Sequence, residues 1–231
     1  MRPPWEELEP ASRGAIERQR QAVRRVEQLA TLACVASLAL VAWAAVESIR
    51  TAVASDGGTA GTATAIWSVA GAGALAVLIV LTAWLIHHLQ FAYLTRSSGT
   101  LLLLHVLLVP LLLFVPSSTA VLVSAGLTRT AVLLVALNVL LLDGVLLLAW
   151  SHAVKGGLLF GGDVPSRVVA RVRFLLRTSV VALAATTGLC YAHPMSGMVT
   201  LICLLILQVA LVARGGYTLD LRSRTSRVPA Q

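Results

Sequence analysis

The sequence predicts an all-α polytopic membrane protein with six transmembrane helices and both termini cytoplasmic. Composition is the first reason: 58% of the 231 residues are hydrophobic, only 12% are charged, and the mean hydropathy is +0.86. A soluble domain carries roughly twice that charged fraction. The second reason is that apolar runs of about 20 residues, the length that crosses a ~30 Å hydrocarbon layer, recur along the chain. The third is the placement of positive charge. With six spans and both ends inside, sixteen of the eighteen Lys and Arg residues face the cytoplasm and only Arg50 and Arg129 face out. That asymmetry is the expected signature of membrane orientation.

Residues 1–28 are polar and basic and read as a cytoplasmic juxtamembrane segment, helical from about Ser12. They are no cleavable signal, because the following apolar run is too long and lacks a small-residue cleavage site. The transmembrane domain then covers 29–214, with spans at about 29–49, 62–93, 99–115, 130–150, 168–191 and 197–213. The first span is alanine-rich, and Ala33 with Ser37 forms a small-xxx-small pair suited to close packing in lipid. Ser55 to Gly58 signals the first turn. Gly71-Ala72-Gly73-Ala74 in the second span suggests a close crossing with another helix. The third span is expected to kink at Pro110 and to leave the membrane at Pro116, since proline removes a backbone donor. His193-Pro194 makes a tight turn between the last two spans, and residues 215–231 form a basic cytoplasmic tail.

The net charge of +8 is explained by topology and by attraction to anionic lipid, so no nucleic-acid partner is expected. Cys34, Cys190 and Cys203 all lie in or beside apolar spans and offer neither a disulfide framework nor metal-ligand spacing. No phosphate-loop, zinc-protease, serine-hydrolase or Cys-x-x-Cys pattern occurs, nor does the TVGYG filter sequence. We therefore expect no catalytic residues, no metal and no cofactor.

Chemistry concentrates between Trp84 and Ser118, where Trp84, His87, His88 and His105 fall within 22 positions. His87 and His88 sit at the end of the second span, either as an interfacial belt or as hydrogen-bonding posts toward another helix. His105 lies six residues into an apolar helix, so it should face the bundle and bond across to a neighbour. Asp143, with Asn138, is the other intramembrane polar position. A carboxylate there marks an ion or proton path, or else a protonated or asparagine-paired acid that ties helices together. Asn138 is five residues away, about 140° around a helix, so the two do not share a face.

The run W-x-x-H-H-x-x-F at Trp84 to Phe91, a polar turn, and a leucine-rich helix closed by Pro116 resemble the second and third helices of the transmembrane protein 175 family. These are six-helix potassium channel subunits of lysosomes and prokaryotes. The family's third helix carries an asparagine eleven residues before the closing proline, and His105 stands at that place. Ala136-Leu137-Asn138 and the arginine-led segment Arg171 to Arg177 extend the likeness, which covers roughly residues 24 to 214. The family's first helix has an arginine followed by Phe-Ser-Asp. Aligned on Arg25, those three positions are Leu29, Ala30 and Thr31, and all three differ. Ala36 stands where the family has the bulky residue that narrows its pore.

The resemblance implies a homotetramer in which Ala36 and Leu40 line a central path for potassium, the permeant ion, with no cofactor. It also implies that Trp84, His87, His88 and His105 form the polar support of the first helix. The changed first-helix motif makes a non-conducting structural or accessory subunit, assembled with an intact family member, the alternative. A proton-coupled carrier using Asp143 and His105 is a third reading. Arginine-rich, lysine-poor usage and the Ala/Leu/Val bias point to a bacterial plasma membrane.

Overall fold

Lipid offers the backbone no hydrogen bonds, so an apolar chain that crosses it must satisfy its amides internally, and this one does so by helix throughout. A computed structural model describes residues 10–56, 59–94, 98–156 and 166–225. They form six helices: α1 Pro10–Asp56, α2 Thr59–Phe91, α3 Gly99–Ala125, α4 Arg129–Lys155, α5 Ser166–Ala192 and α6 Pro194–Thr225. Each contains a stretch long and apolar enough to cross a membrane, so the chain is a multi-pass membrane protein.

The helices run past several expected span limits. α1 continues without a break through the basic segment from Pro10, and α6 carries on past Arg214 to Thr225. Part of the expected first turn (residues 57–58), most of the Gly-rich loop before α5 and the last six residues lie outside the described residues. Ser98 caps α3, its Oγ accepting from the Leu101 amide at 3.2 Å, and Thr128 caps α4 in the same way. Gly126 ends α3 at φ 63°, a backbone conformation open chiefly to glycine. The expected His193-Pro194 turn is present: Pro194 begins α6, where its missing N–H costs nothing. The chain reverses so tightly there that a Cβ on Gly197 would stand 2.5 Å from the Cys190 Cα.

The third helix corrects an expectation. It does not end at Pro116 but continues to Ala125, with Pro116 buried inside it. The physical reason lies on α1. A proline at 116 cannot donate to the carbonyl four residues back, which is that of Leu112. Ser37 Oγ donates to this same oxygen at 2.7 Å. The freed acceptor is satisfied from a neighbouring helix, so the helix has no need to stop.

α4 is the hub. It packs on α2, α3, α5 and α6, and 56% of its apolar window is buried, against 28% for α1 and for α5. Its buried residues Val135, Val139, Leu142, Leu146 and Trp150 meet Ile79 and Ile86 of α2, Leu108 and Leu112 of α3, Leu176 and Leu183 of α5, and Leu201 and Leu205 of α6 in one core. α1 lies at the margin, packed on α2 and α3. A Cβ placed on Gly73 of α2 would stand 3.9 Å from Val41 of α1 and one on Gly71 would meet nothing within 4 Å, so the crossing there leaves room for a larger residue than glycine.

Candidate functional site

Two polar constellations lie inside the bundle. The first gathers the residues singled out around His105. On α2, Trp84, His87, His88 and Phe91 follow at three- and four-residue spacing, which brings them to neighbouring turns. His88 is exposed and stacks on Trp84, ring centroids 5.4 Å apart and nearly parallel. His87 turns inward, is 2% exposed, and meets His105 of α3 edge-on at 5.1 Å. Phe91 packs on both imidazoles, at 4.4 Å from His87 and 4.8 Å from His105.

His105 is buried as expected, but the interhelical hydrogen bond is not there. Its Nδ1 bonds the Leu101 carbonyl of its own helix at 2.7 Å. Its Nε2 and both nitrogens of His87 are buried with no partner among the described residues. The two rings meet by packing, not by hydrogen bonding.

Nor does this cluster reach the rewritten α1 positions. Leu29 is exposed, Ala30 is buried in packing, and the exposed Thr31 donates back to the Glu27 carbonyl at 2.9 Å. Arg25 is exposed. The polar tie between α1 and α2 is made one turn earlier, where Glu27 Oε1 lies 3.4 Å from His88 Nδ1. Sequence reasoning missed Glu27, although an acid one turn before Thr31, at the edge of the first apolar run, was the available signal.

Ala36 and Leu40 both point away from the single chain's core and are exposed. At 100° per residue they share a flank of α1 with Leu29 and Glu47, bordered by the exposed Leu32 and Trp43. Toward α2, a shallow groove of about 510 Å³ is lined by aliphatic and small side chains such as Leu38, Val41 and Ile66, with no polar side chain to orient a ligand.

The second constellation was only half visible in the sequence. Asp143 of α4 is buried, and its Oδ2 accepts from Ser179 Oγ of α5 at 2.5 Å and from Gln208 Nε2 of α6 at 2.6 Å. Gln208 also donates to Ser179, closing a triangle of side chains from three helices. Asn138 is buried on the same helix and has no partner among the described residues, so it does not pair with Asp143. Ser179 and Gln208 were missed because each is one ordinary polar residue in an apolar run. A further tie joins α2 to α4, Gln90 Nε2 donating to the Leu146 carbonyl at 2.9 Å. At the end of α2, Tyr93 packs edge-on against Trp150 at 6.4 Å. Among the described residues no three His, Cys, Asp or Glu side chains gather as a metal set would.

This geometry has a counterpart among solved structures. The crystal structure of a lysosomal potassium-selective channel TMEM175 homolog from Chamaesiphon minutus superposes with a TM-score of 0.70, covering 83% of this chain and 98% of that one. The two share a fold. Sequence identity over the match is 17%, so the likeness is one of architecture. No protein-family model and no curated protein matches the chain.

Proposed function

We propose that the chain is a subunit of a potassium, or monovalent-cation, channel of the transmembrane protein 175 type, passing ions down their gradient through a path between several copies. The observation that carries this reading is the likeness in fold to a potassium-selective channel over nearly that channel's whole length. The W-x-x-H-H-x-x-F run and the place of His105 before Pro116 add support from the sequence. The assembly we favour is a homotetramer in a bacterial plasma membrane.

In this reading α1 lines the path. It is the least enclosed helix of its half of the bundle. The flank holding Leu29, Ala36 and Leu40 runs from Arg25 at one end to Glu47 at the other. A ring of Ala36 side chains would leave a wide constriction, and a hydrophobic gate works by dewetting, which depends steeply on radius. Leu32, Leu40 and Trp43 are then the bulky side chains able to narrow it.

A second reading is a non-conducting accessory subunit of such an assembly. It is favoured by one observation: among the described residues, Leu29, Ala30 and Thr31 make no polar contact with α2 or α3. A carrier using Asp143 has less support, because the carboxylate is bonded to two helices at once.

The deciding experiment is potassium flux into liposomes holding the purified protein. Flux above that of empty vesicles, lowered or raised several-fold by Ala36→Leu, is the expected result. No flux at verified incorporation, with co-purification of a conducting relative, would replace the channel reading by the accessory one.

A further inference from the structure

α5 is the least apolar of the six spans, and the reason is a set of arginines that the packing of the bundle does not use. Its buried stripe is Val172, Leu176, Ser179 and Leu183. Arg173 and Arg177 lie one turn apart beside that stripe, about 40° from each other around the axis. Next to them are Phe174 and Val181, 69% and 70% exposed, which mark the side facing lipid. Arg177 is exposed, Arg173 partly so, and among the described residues neither guanidinium has an ion-pair or hydrogen-bond partner. Across α4, α5 and the α6 span Pro194–Arg214, Asp143 is the one carboxylate, and it is held by Ser179 and Gln208. The neighbouring end of α4 adds positive charge, with Lys155 closing it.

Depth makes this pair more than an orientation signal. Arg177 is eight residues beyond Val169, where the apolar span begins, or about 12 Å along the axis. An unpaired guanidinium exposed to hydrocarbon at that depth is costly. The bonds from Cα to Cβ in a helix tilt toward its N-terminus, so Arg177 leans back toward Arg173 and the interface. Side chains four apart on a helix are about 5–6 Å apart at their Cβ atoms, a spacing that lets two guanidiniums grip one phosphate with paired N–H donors.

We propose that Arg173 and Arg177 form a binding site for the headgroup of an anionic phospholipid in the leaflet where α5 begins, its acyl chains lying along Phe174 and Val181. The choice of a lipid over a soluble phosphate rests on the apolar surface directly below the pair. The choice of an anionic lipid rests on two like charges with no acid paired to them among the described residues. The site stands apart from the channel reading and would exist in a conducting or a silent subunit.

The test uses the full chain purified in mild detergent, with phosphatidylglycerol and phosphatidylcholine as probes. Native mass spectrometry should show phosphatidylglycerol retained where phosphatidylcholine is stripped. The double variant Arg173→Gln/Arg177→Gln should weaken that retention about tenfold or more, as expected for two interfacial arginines. Arg171→Gln, on the opposite flank of the same turn, should change it little. Equal retention of the two lipids, or an equal loss with Arg171→Gln, would overturn the site in favour of a diffuse basic belt. A thermal unfolding scan of the unaltered protein guards against a misfolded variant. Phosphatidylglycerol should raise the midpoint, while phosphatidylcholine and soluble glycerol phosphate should not. A rise with glycerol phosphate alone would overturn the lipid assignment. No rise with any probe, together with disulfide crosslinking of Phe174→Cys between copies, would show that this face meets a second copy instead.

Discussion

Around Asp143 three helices are joined side chain to side chain, carboxylate to hydroxyl to amide, with no solvent-exposed member. Around His105 two equally buried imidazoles meet face to edge and leave three nitrogens without a partner among the described residues. The first arrangement fixes α4, α5 and α6 against one another in a single copy. In the second, α1 is held by packing, by the Ser37 hydroxyl on the Leu112 carbonyl and by the exposed Glu27–His88 pair. Buried polar groups are normally satisfied, and neither half meets this fully, since Asn138, Trp150 Nε1 and Gln208 Oε1 are also buried without a partner among the described residues; the contrast is between a bonded tie and a packed one.

The sharpest way to break that contrast is Asp143→Leu. It removes the shared acceptor and leaves the Ser179 hydroxyl and the Gln208 amide buried without it. The predicted cost is about 2–5 kcal/mol of stability, measured by unfolding in detergent. Asp143→Asn keeps an oxygen in place and should cost about 1 kcal/mol. If the two substitutions cost the same, the triangle is not what holds these helices.

Next in size is the turn that starts α6. Gly197→Ala places a methyl 2.5 Å from the Cys190 Cα and Sγ and 2.7 Å from its amide nitrogen. Backbone must shift to admit it, which we expect to cost about 1–3 kcal/mol. The same substitution at Gly71, where a Cβ meets nothing within 4 Å, should be neutral or slightly stabilising. The pair of variants compares a closed contact in one half with an open face in the other under the same chemistry.

How far the sequence discloses this molecule differs between the two halves for a physical reason. Six helices were legible because hydropathy and Lys/Arg placement are averaged over many residues, and lipid leaves few alternatives to helix. Pro116 misled because a proline's effect on a helix depends on who satisfies the freed carbonyl, and Ser37 is 79 residues away. Asp143 stood out as a charge in an apolar run, but its partners Ser179 and Gln208 carry no such mark, and only the folded bundle selects them. His105 was read correctly as buried and wrongly as bonded across helices. A histidine within a helix can turn back to the carbonyl four residues earlier, and here Leu101 supplies it.

The α1–α3 seam offers a subtler test. Ser37→Ala should cost about 1–2 kcal/mol, because the Leu112 carbonyl is then buried without the donor that replaces a backbone amide. Pro116→Ala restores that amide. In the double variant the loss should shrink well below the sum of the singles, a coupling that only a shared acceptor produces. Additive effects would show that Ser37 and Pro116 act independently.

The smallest expected change in stability is also the one that reads most directly on the assembly. His88 and Glu27 are 58% and 37% exposed at their side chains, so their contact is screened by solvent. Glu27→Gln should therefore alter unfolding by less than ~1 kcal/mol. Yet in the folded chain this pair is the polar tie nearest Leu29, Ala30 and Thr31, on the helix proposed to line the path. If α1 positions a pore, Glu27→Gln should change potassium flux several-fold while the melting curve stays in place, and Ser37→Ala should show the reverse emphasis. Should flux follow stability in both variants, α1 is an ordinary member of the bundle.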